Sequence, residues 1–175
     1  MSLITDPEEV WRLAREKGDE NWAFRAWIKA EFGFDDPRLM PVVIRLAEEI
    51  TAQIDCTACG NCCRQLGTAL QPGDAPRLAQ ALGIDVATLT RTYLTADEMG
   101  EGQVLPPCPW LEGNRCTVYD ARPSTCREYP SLHNDIRASS LQRLGDASLC
   151  PVVYNLFEAL KVELGWPGLS EMDRL

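Results

Sequence analysis

The chain reads as mainly α: a small helical domain with irregular, cysteine-rich loops organised around a metal site. Three observations lead there. Apolar residues recur at helical spacing through the first third of the 175 residues and again near the end. The middle is interrupted by proline and glycine and shows little periodicity. All eight cysteines lie between Cys56 and Cys150. The chain accordingly divides into a helical N-terminal extension over 1–50 packed on the core, a cysteine-cluster metal-binding domain over 51–165, and a tail over 166–175.

The first helix is announced by Thr5-Asp6-Pro7-Glu8-Glu9, which combines a capping side chain, proline at the first helical position and acids near the positive helix end. Val10, Leu13 and Ala14 form its apolar stripe, and Gly18 is expected to stop it. A second helix is expected from Asn21 to Phe32, with Trp22, Phe24, Trp27, Ile28 and Phe32 facing inward and Gly33 ending it. Asp35-Asp36-Pro37 opens a third, in which Leu39, Val43, Leu46, Ala47, Ile50 and Ile54 recur up to the edge of the cysteines.

Residues 56–70 read as irregular. Asp74–Leu82 is predicted as a short helix ending at Gly83, and Asp85–Leu94 as another, capped by Asp85. Asp97 to Gly102 reads as an exposed loop, and a short strand is expected at Thr117-Val118-Tyr119. Residues 131–147 carry no clear pattern. Val152–Leu164 closes the chain as a helix with Val153, Leu156, Phe157, Leu160 and Leu164 as its apolar face, and Gly165 ends it.

Composition narrows the function. Apolar residues make up 45% and charged residues 25%, enough to bury a core and too apolar for a disordered tail. The net charge is −9 with only three lysines, which argues against a nucleic-acid partner, because phosphate contacts need clustered positive charge. The acidic start, with Asp6, Glu8 and Glu9, does not resemble a secretory signal, and no unbroken apolar stretch is long enough to span a bilayer. The expected location is therefore the cytoplasm, where thiols stay reduced, with no membrane partner. A disulfide framework is the alternative for an even cysteine count, but such frameworks belong mainly to short secreted chains with little core.

Cys56-Thr57-Ala58-Cys59-Gly60-Asn61-Cys62-Cys63 is the sharpest feature. Cysteines at three-residue spacing, with Gly60 and Asn61 able to take turn conformations, let one loop wrap a metal with several sulfurs. Thiolates are soft ligands and select zinc, copper(I), iron or iron–sulfur over magnesium or calcium. Cys108, Cys116, Cys126 and Cys150 follow. C-x2-C-x2-C is the ferredoxin-type run, whose remote ligand is a cysteine before proline, and Cys108-Pro109 and Cys150-Pro151 qualify. Eight thiols also divide into two tetrahedral all-thiolate zinc sites. The balance leans slightly to an iron–sulfur cluster, with zinc or iron ions the alternative. Adjacent Cys62 and Cys63 are not expected to be equivalent ligands of one ion, because neighbouring side chains diverge. Arg64, Arg115 and Arg127 adjoin cysteines and Arg122 precedes Cys126, where they can balance an anionic thiolate site.

At these residues the sequence resembles the YkgJ-like family of CxxCxxCC cysteine-cluster proteins, a zinc- or iron-chelating domain. The matching pieces are Cys56 to Cys63, the stretch Asp74 to Leu94, Cys108-Pro109-Trp110-Leu111, Gly113 to Tyr119, Arg122-Pro123, Cys126-Arg127-Glu128-Tyr129-Pro130 and Cys150-Pro151. They cover roughly residues 50–165, leaving the N-terminal helices outside. The resemblance implies metal chelation by Cys56, Cys59, Cys62, Cys63, Cys108, Cys116, Cys126 and Cys150, and no settled reaction. A related cluster occurs in flagellin lysine methylases with S-adenosylmethionine; no Gly-rich strand-to-helix turn for that cofactor is present, so that activity is not carried over.

Three functional readings follow. The first is a metal-cluster protein in which cysteines hold the metal and helices cover it. The second is a metal- or cluster-dependent redox enzyme using an open coordination position or a reactive thiol at Cys62 or Cys63, for which His133, Tyr119, Tyr129, Glu128 and Asp120 are the available acid–base groups. The third is a structural zinc module, with the N-terminal helices offering a surface to a protein partner.

Overall fold

The computed structural model describes residues 2–96 and 102–169. Among them ten helices and five short strands follow in chain order. They are α1 (Pro7–Glu16), α2 (Gly18–Glu31), α3 (Leu39–Thr51), α4 (Cys56–Cys59), α5 (Asn61–Gln65), β1 (Thr68–Ala69), α6 (Asp74–Leu82), α7 (Val86–Tyr93), β2 (Thr95–Ala96), β3 (Gly102–Val104), β4 (Leu111–Glu112), β5 (Arg115–Cys116), a 3-10 turn (Tyr119–Ala121), α8 (Ser124–Glu128), α9 (Ser140–Ala147) and α10 (Pro151–Glu163). The fold is mainly α, as the sequence predicts. No helix among the described residues is long and apolar enough to cross a membrane. Of the loop expected at Asp97 to Gly102, residues 97–101 lie outside the described residues and Gly102 instead opens β3; the tail beyond Leu169 also lies outside them.

Two compact units divide the chain: Met1–Asp55 with Pro130–Leu175, and Cys56–Tyr129. This division groups residues 130–165 with the N-terminal helices, whereas the linear segmentation puts them with the cysteines.

The helical unit is built on α10, which packs on α1, α3 and α9. Val152, Val153, Leu156, Phe157 and Leu160 are all buried, so α10 is covered nearly all round rather than along one stripe. Burying each of these side chains stabilises the fold by roughly 1.5–3 kcal/mol. Phe24 of α2 meets the rings of Phe157 and Trp166 edge-on, at 6.0 and 5.6 Å between centroids. Val10 and Ala14 of α1 pack with Tyr154, and the Asn155 amide ties down the chain start by bonding both the N–H and the carbonyl of Ile4, at 3.0 and 2.7 Å.

Several boundaries differ from expectation. Gly18 opens α2 instead of ending a helix, because Lys17 alone separates α1 from α2. Trp22 is 52% exposed rather than internal, with Arg25 lying over its ring. The third helix starts at Leu39, since Asp36 spends its carboxylate on the Arg38 N–H and guanidinium in a tight turn. Residues 131–147, unreadable by apolar periodicity, contain α9, whose buried face carries Ser140, Arg143 and Asp146. Arg143 and Asp146 pair there at 2.8 Å, and buried Arg137 bonds the carbonyls of Phe32 and Gly33 at 3.0 and 2.5 Å.

The cysteine-rich unit has its own core of Leu70, Leu78, Ala79, Leu89, Val104, Trp110, Val118 and Ala121. Helix α6 keeps its expected span and α7 runs one residue shorter at each end, with Asp85 and Leu94 as its caps; Gly83 ends α6 at φ +68°, and the Asp85 carboxylate caps α7 by accepting from the Thr88 N–H at 2.8 Å. Two small antiparallel sheets complete it. One has the order β1-β3-β2, with Thr68 opposite Val104 and Thr95 opposite Gln103; the other is the β4–β5 hairpin, with Leu111 opposite Cys116. The strand expected at 117–119 sits two residues earlier, and Tyr119 instead starts the 3-10 turn.

Candidate metal centre

The CxxCxxCC segment is not irregular. It forms two helical turns, α4 and α5, separated by Gly60 in the left-handed region at φ +60°. That conformation is open to glycine at little cost and breaks the helix between Cys59 and Cys62. Glycine is also required sterically: a Cβ at Gly60 would stand 2.9 Å from the Asn114 carbonyl oxygen and 3.2 Å from Leu111 Cδ1. The segment therefore lies flat against the β4–β5 hairpin. Asn114 Nδ2 donates to the Ala58 carbonyl at 2.7 Å. Arg64 donates to the carbonyls of Cys59 and Gly113 at 3.0 and 2.6 Å and to the Asn114 side-chain oxygen.

Seven of the eight cysteines belong to this unit, and Cys150 belongs to the helical unit. Cys56 begins α4 and is exposed; Cys59 ends it, half-buried. Cys62 and Cys63 follow one another on α5, with their Sγ atoms 4.0 Å apart. The Cys108 N–H donates to the Cys63 carbonyl at 2.8 Å, which docks the second cysteine region on the first. Cys116 lies on β5, opposite Leu111. Cys126 lies on α8, its Sγ 3.2 Å from the Thr68 hydroxyl. Cys150 is buried at the N-terminal cap of α10, where its N–H donates to the Asp146 carbonyl at 2.7 Å.

Electrostatics joins four of these thiols. The hydrogen bond from Cys62 lowers the Cys63 thiol most; burial opposes it, and the Arg122 and Arg64 charges add to the lowering, which reaches about 6. Burial pushes Cys108 up to about 11 against the Trp110 N–H, and the charges of Cys63, Cys116 and Cys126 push it the same way. Burial also raises Cys116 and Cys126, each of which feels Cys63 and, oppositely, Arg122. The Cys62 hydrogen bond and the arginine charges therefore favour the thiolate of Cys63, the ligand form of a thiol, with three thiols and an arginine in electrostatic reach. Among the described residues, no three Cys, His, Asp or Glu side chains already converge on one point as a preformed cage.

The arginines divide their work. Arg122 places its guanidinium over the Tyr119 ring at 3.4 Å and donates to the Tyr119 carbonyl at 2.8 Å, leaving its charge beside Cys63, Cys116 and Cys126. Arg127 braces the same loop through the carbonyls of Arg122 and Asp120. Tyr119 is 41% exposed and supports Arg122 through its ring. His133 is exposed and belongs to the helical unit.

Sequence reading passed over the residues that carry this frame. Asp74, read only as a helix start, is fully buried; its Oδ2 accepts from the N–H groups of Gln71 and Ser124 at 2.8 and 3.0 Å, and its Oδ1 from the Ser124 hydroxyl and Arg77 at 2.9 and 2.5 Å. Asp74 thereby holds the first residue of α8, two residues before Cys126. Ser124 follows Pro123 in a sequence with no helical period, so nothing local marks it as a partner.

A dense set of soft donors with arginine charge beside it has the chemistry of a soft-metal site. Known proteins agree: the CxxCxxCC family, described as a "putative zinc- or iron-chelating domain", matches residues 55–150. No curated relative and no solved structure matches the chain. With more than half its length matched, through all eight cysteines, the chain belongs to the CxxCxxCC family of zinc- or iron-chelating domains.

Proposed function

We propose that the protein holds metal through thiolate ligands from Cys56, Cys59, Cys62, Cys63, Cys108, Cys116 and Cys126, with Cys150 as the eighth, and that the metal includes an iron–sulfur cluster. The observation that carries ligation is the grouping of Cys63, Cys108, Cys116 and Cys126 within one another's electrostatic reach beside Arg122. Four thiolates make a complete tetrahedral sulfur shell, and the arginine offsets its negative charge. Iron–sulfur is supported by Cys56, Cys59 and Cys62, which have the C-x2-C-x2-C spacing that serves ferredoxin-type clusters. The proposed location is the cytoplasm, where reducing conditions preserve thiolate ligands.

The test is metal and acid-labile sulfide analysis of protein purified without oxygen. Brown protein containing iron and sulfide is expected. Colourless protein with zinc and no iron would remove the iron–sulfur part and leave chelation standing, whereas protein with no bound metal would overturn the reading altogether.

A further inference from the structure

We infer that Arg64 and Asn114 are positioning residues of the metal site. Together they latch α4, which carries Cys56 and Cys59, onto the tip of the β4–β5 hairpin, and the latch slows the loss of bound metal. The inference deepens the proposed metal binding and rests on it.

Helix α4 has four residues, Cys56–Cys59, and a helix that short has no stability of its own. Gly60 ends it by turning the backbone into the left-handed region ahead of α5. The Gly60 N–H reaches back to the Cys56 carbonyl at 3.4 Å. The carbonyls of Ala58 and Cys59 belong to the last turn, where a helix has no N–H of its own to offer them. Side chains from beyond the helix take both. The Ala58 carbonyl accepts from Asn114 Nδ2 at 2.7 Å, and the Cys59 carbonyl accepts from Arg64 Nη1 at 3.0 Å.

The two side chains also hold each other. Arg64 Nη2 donates to the Asn114 side-chain oxygen and, at 2.6 Å, to the Gly113 carbonyl. Asn114 therefore uses both ends of its amide, one on Arg64 and the other on α4. Its place is set by the hairpin: Glu112 faces Arg115, so Gly113 and Asn114 make up the whole turn. Gly113 has φ +59° at the first turn position, where a two-residue hairpin turn of this kind takes glycine.

Shape carries the role of Arg64 more than charge does. Its three acceptors are uncharged oxygens, one on α4 and two on the hairpin turn. A planar guanidinium meets them from fixed directions, whereas lysine brings the same charge on a single nitrogen. Charge balance, the role the sequence suggests for Arg64, would be served by lysine as well.

The test uses the full-length protein isolated without oxygen and reads the rate at which excess chelator removes its metal. Arg64→Lys and Asn114→Ala are each expected to release metal about tenfold faster than wild type. Arg64→Lys/Asn114→Ala should release it no faster than the quicker single variant, because each change opens the same latch. Release from Arg64→Lys at the wild-type rate would show that charge suffices and would overturn the inference. So would an Asn114→Ala protein that keeps metal as long as wild type. Wild-type protein isolated without metal would instead overturn the proposed function, and the inference with it.

Amide hydrogen exchange read by mass spectrometry separates positioning from general stability. In Arg64→Lys, residues 56–65 should exchange faster, while residues 74–93, which hold α6 and α7, exchange as in wild type. Faster exchange over 74–93 as well would make Arg64 a support of the whole unit and overturn its role in positioning.

Discussion

The carboxylate of Asp74 accepts both the backbone N–H and the hydroxyl of Ser124, at 3.0 and 2.9 Å. Helix α6 thereby fixes the start of α8, the short helix that presents Cys126. Burial pushes the Asp74 carboxyl up, but the N–H groups of Gln71 and Ser124, the Ser124 hydroxyl and Arg77 outweigh it, and the net shift is downward. Asp74→Ala strands these donors in a buried setting and is expected to cost about 2–4 kcal/mol by denaturant unfolding, with Asp74→Asn costing less. A lowered carboxyl stabilises the fold above its unfolded value of 3.8, and the contribution is lost as pH falls through the folded value. The difference between wild type and Asp74→Asn should therefore shrink in acid. Equal stability of wild type and Asp74→Ala at pH 7 would remove Asp74 from the frame of the site.

Gly60 answers to two constraints, a positive φ and a close wall, whereas Gly83 has a similar φ of +68° and nothing within 4 Å of where its Cβ would be. Gly83→Ala therefore meets the backbone term alone, about 1–2 kcal/mol for a left-handed residue. Gly60→Ala meets that term and the Asn114 carbonyl as well, so it should destabilise the protein more than Gly83→Ala. It should also lower metal content, because the segment bearing Cys56 to Cys63 must move off the hairpin. Equal losses from the two variants, with metal content intact, would show that the segment does not depend on its seat against the hairpin.

How far the sequence carried differs between the two units for a physical reason. Helix α1 was legible because Asp6 and Pro7 mark its start and Val10 and Ala14 its buried face, and α7 because Asp85 caps it. Helix α9 was not, because its buried face holds Arg143 and Asp146, whose pairing depends on tertiary structure and leaves no apolar stripe. The spacing of the cysteines leads to the expectation that they are ligands, but the contact that docks Cys108 on Cys63 was not legible. The bond from Cys108 to Cys63 joins backbone atoms, and any residue at those positions would offer the same groups. The arginines show the same limit: Arg64, expected as a counter-charge, also bonds the carbonyls of Cys59 and Gly113, and Arg122 acts on Cys63 ahead of it.

Cys63 and Cys108 share a hydrogen bond between their backbones yet titrate far apart, at about 6 and about 11. The split follows from what each thiol faces: Cys63 has the Cys62 donor and two arginines, whereas Cys108 is half-buried and feels the charges of other thiols. In metal-free protein, alkylation of Cys63 should rise with a midpoint near pH 6, while Cys108 stays unreactive until strongly alkaline pH. Cys62→Ala removes the largest lowering influence and should move the Cys63 midpoint up more than Arg122→Ala does. A depressed thiol stabilises the metal-free fold above its unfolded value of 9.0, and the contribution is lost as pH falls through about 6. Cys63→Ser should therefore lie furthest below wild type in stability at alkaline pH and approach it below pH 6. A Cys63 midpoint near 9 would mean that neither Cys62 nor the arginines act on it.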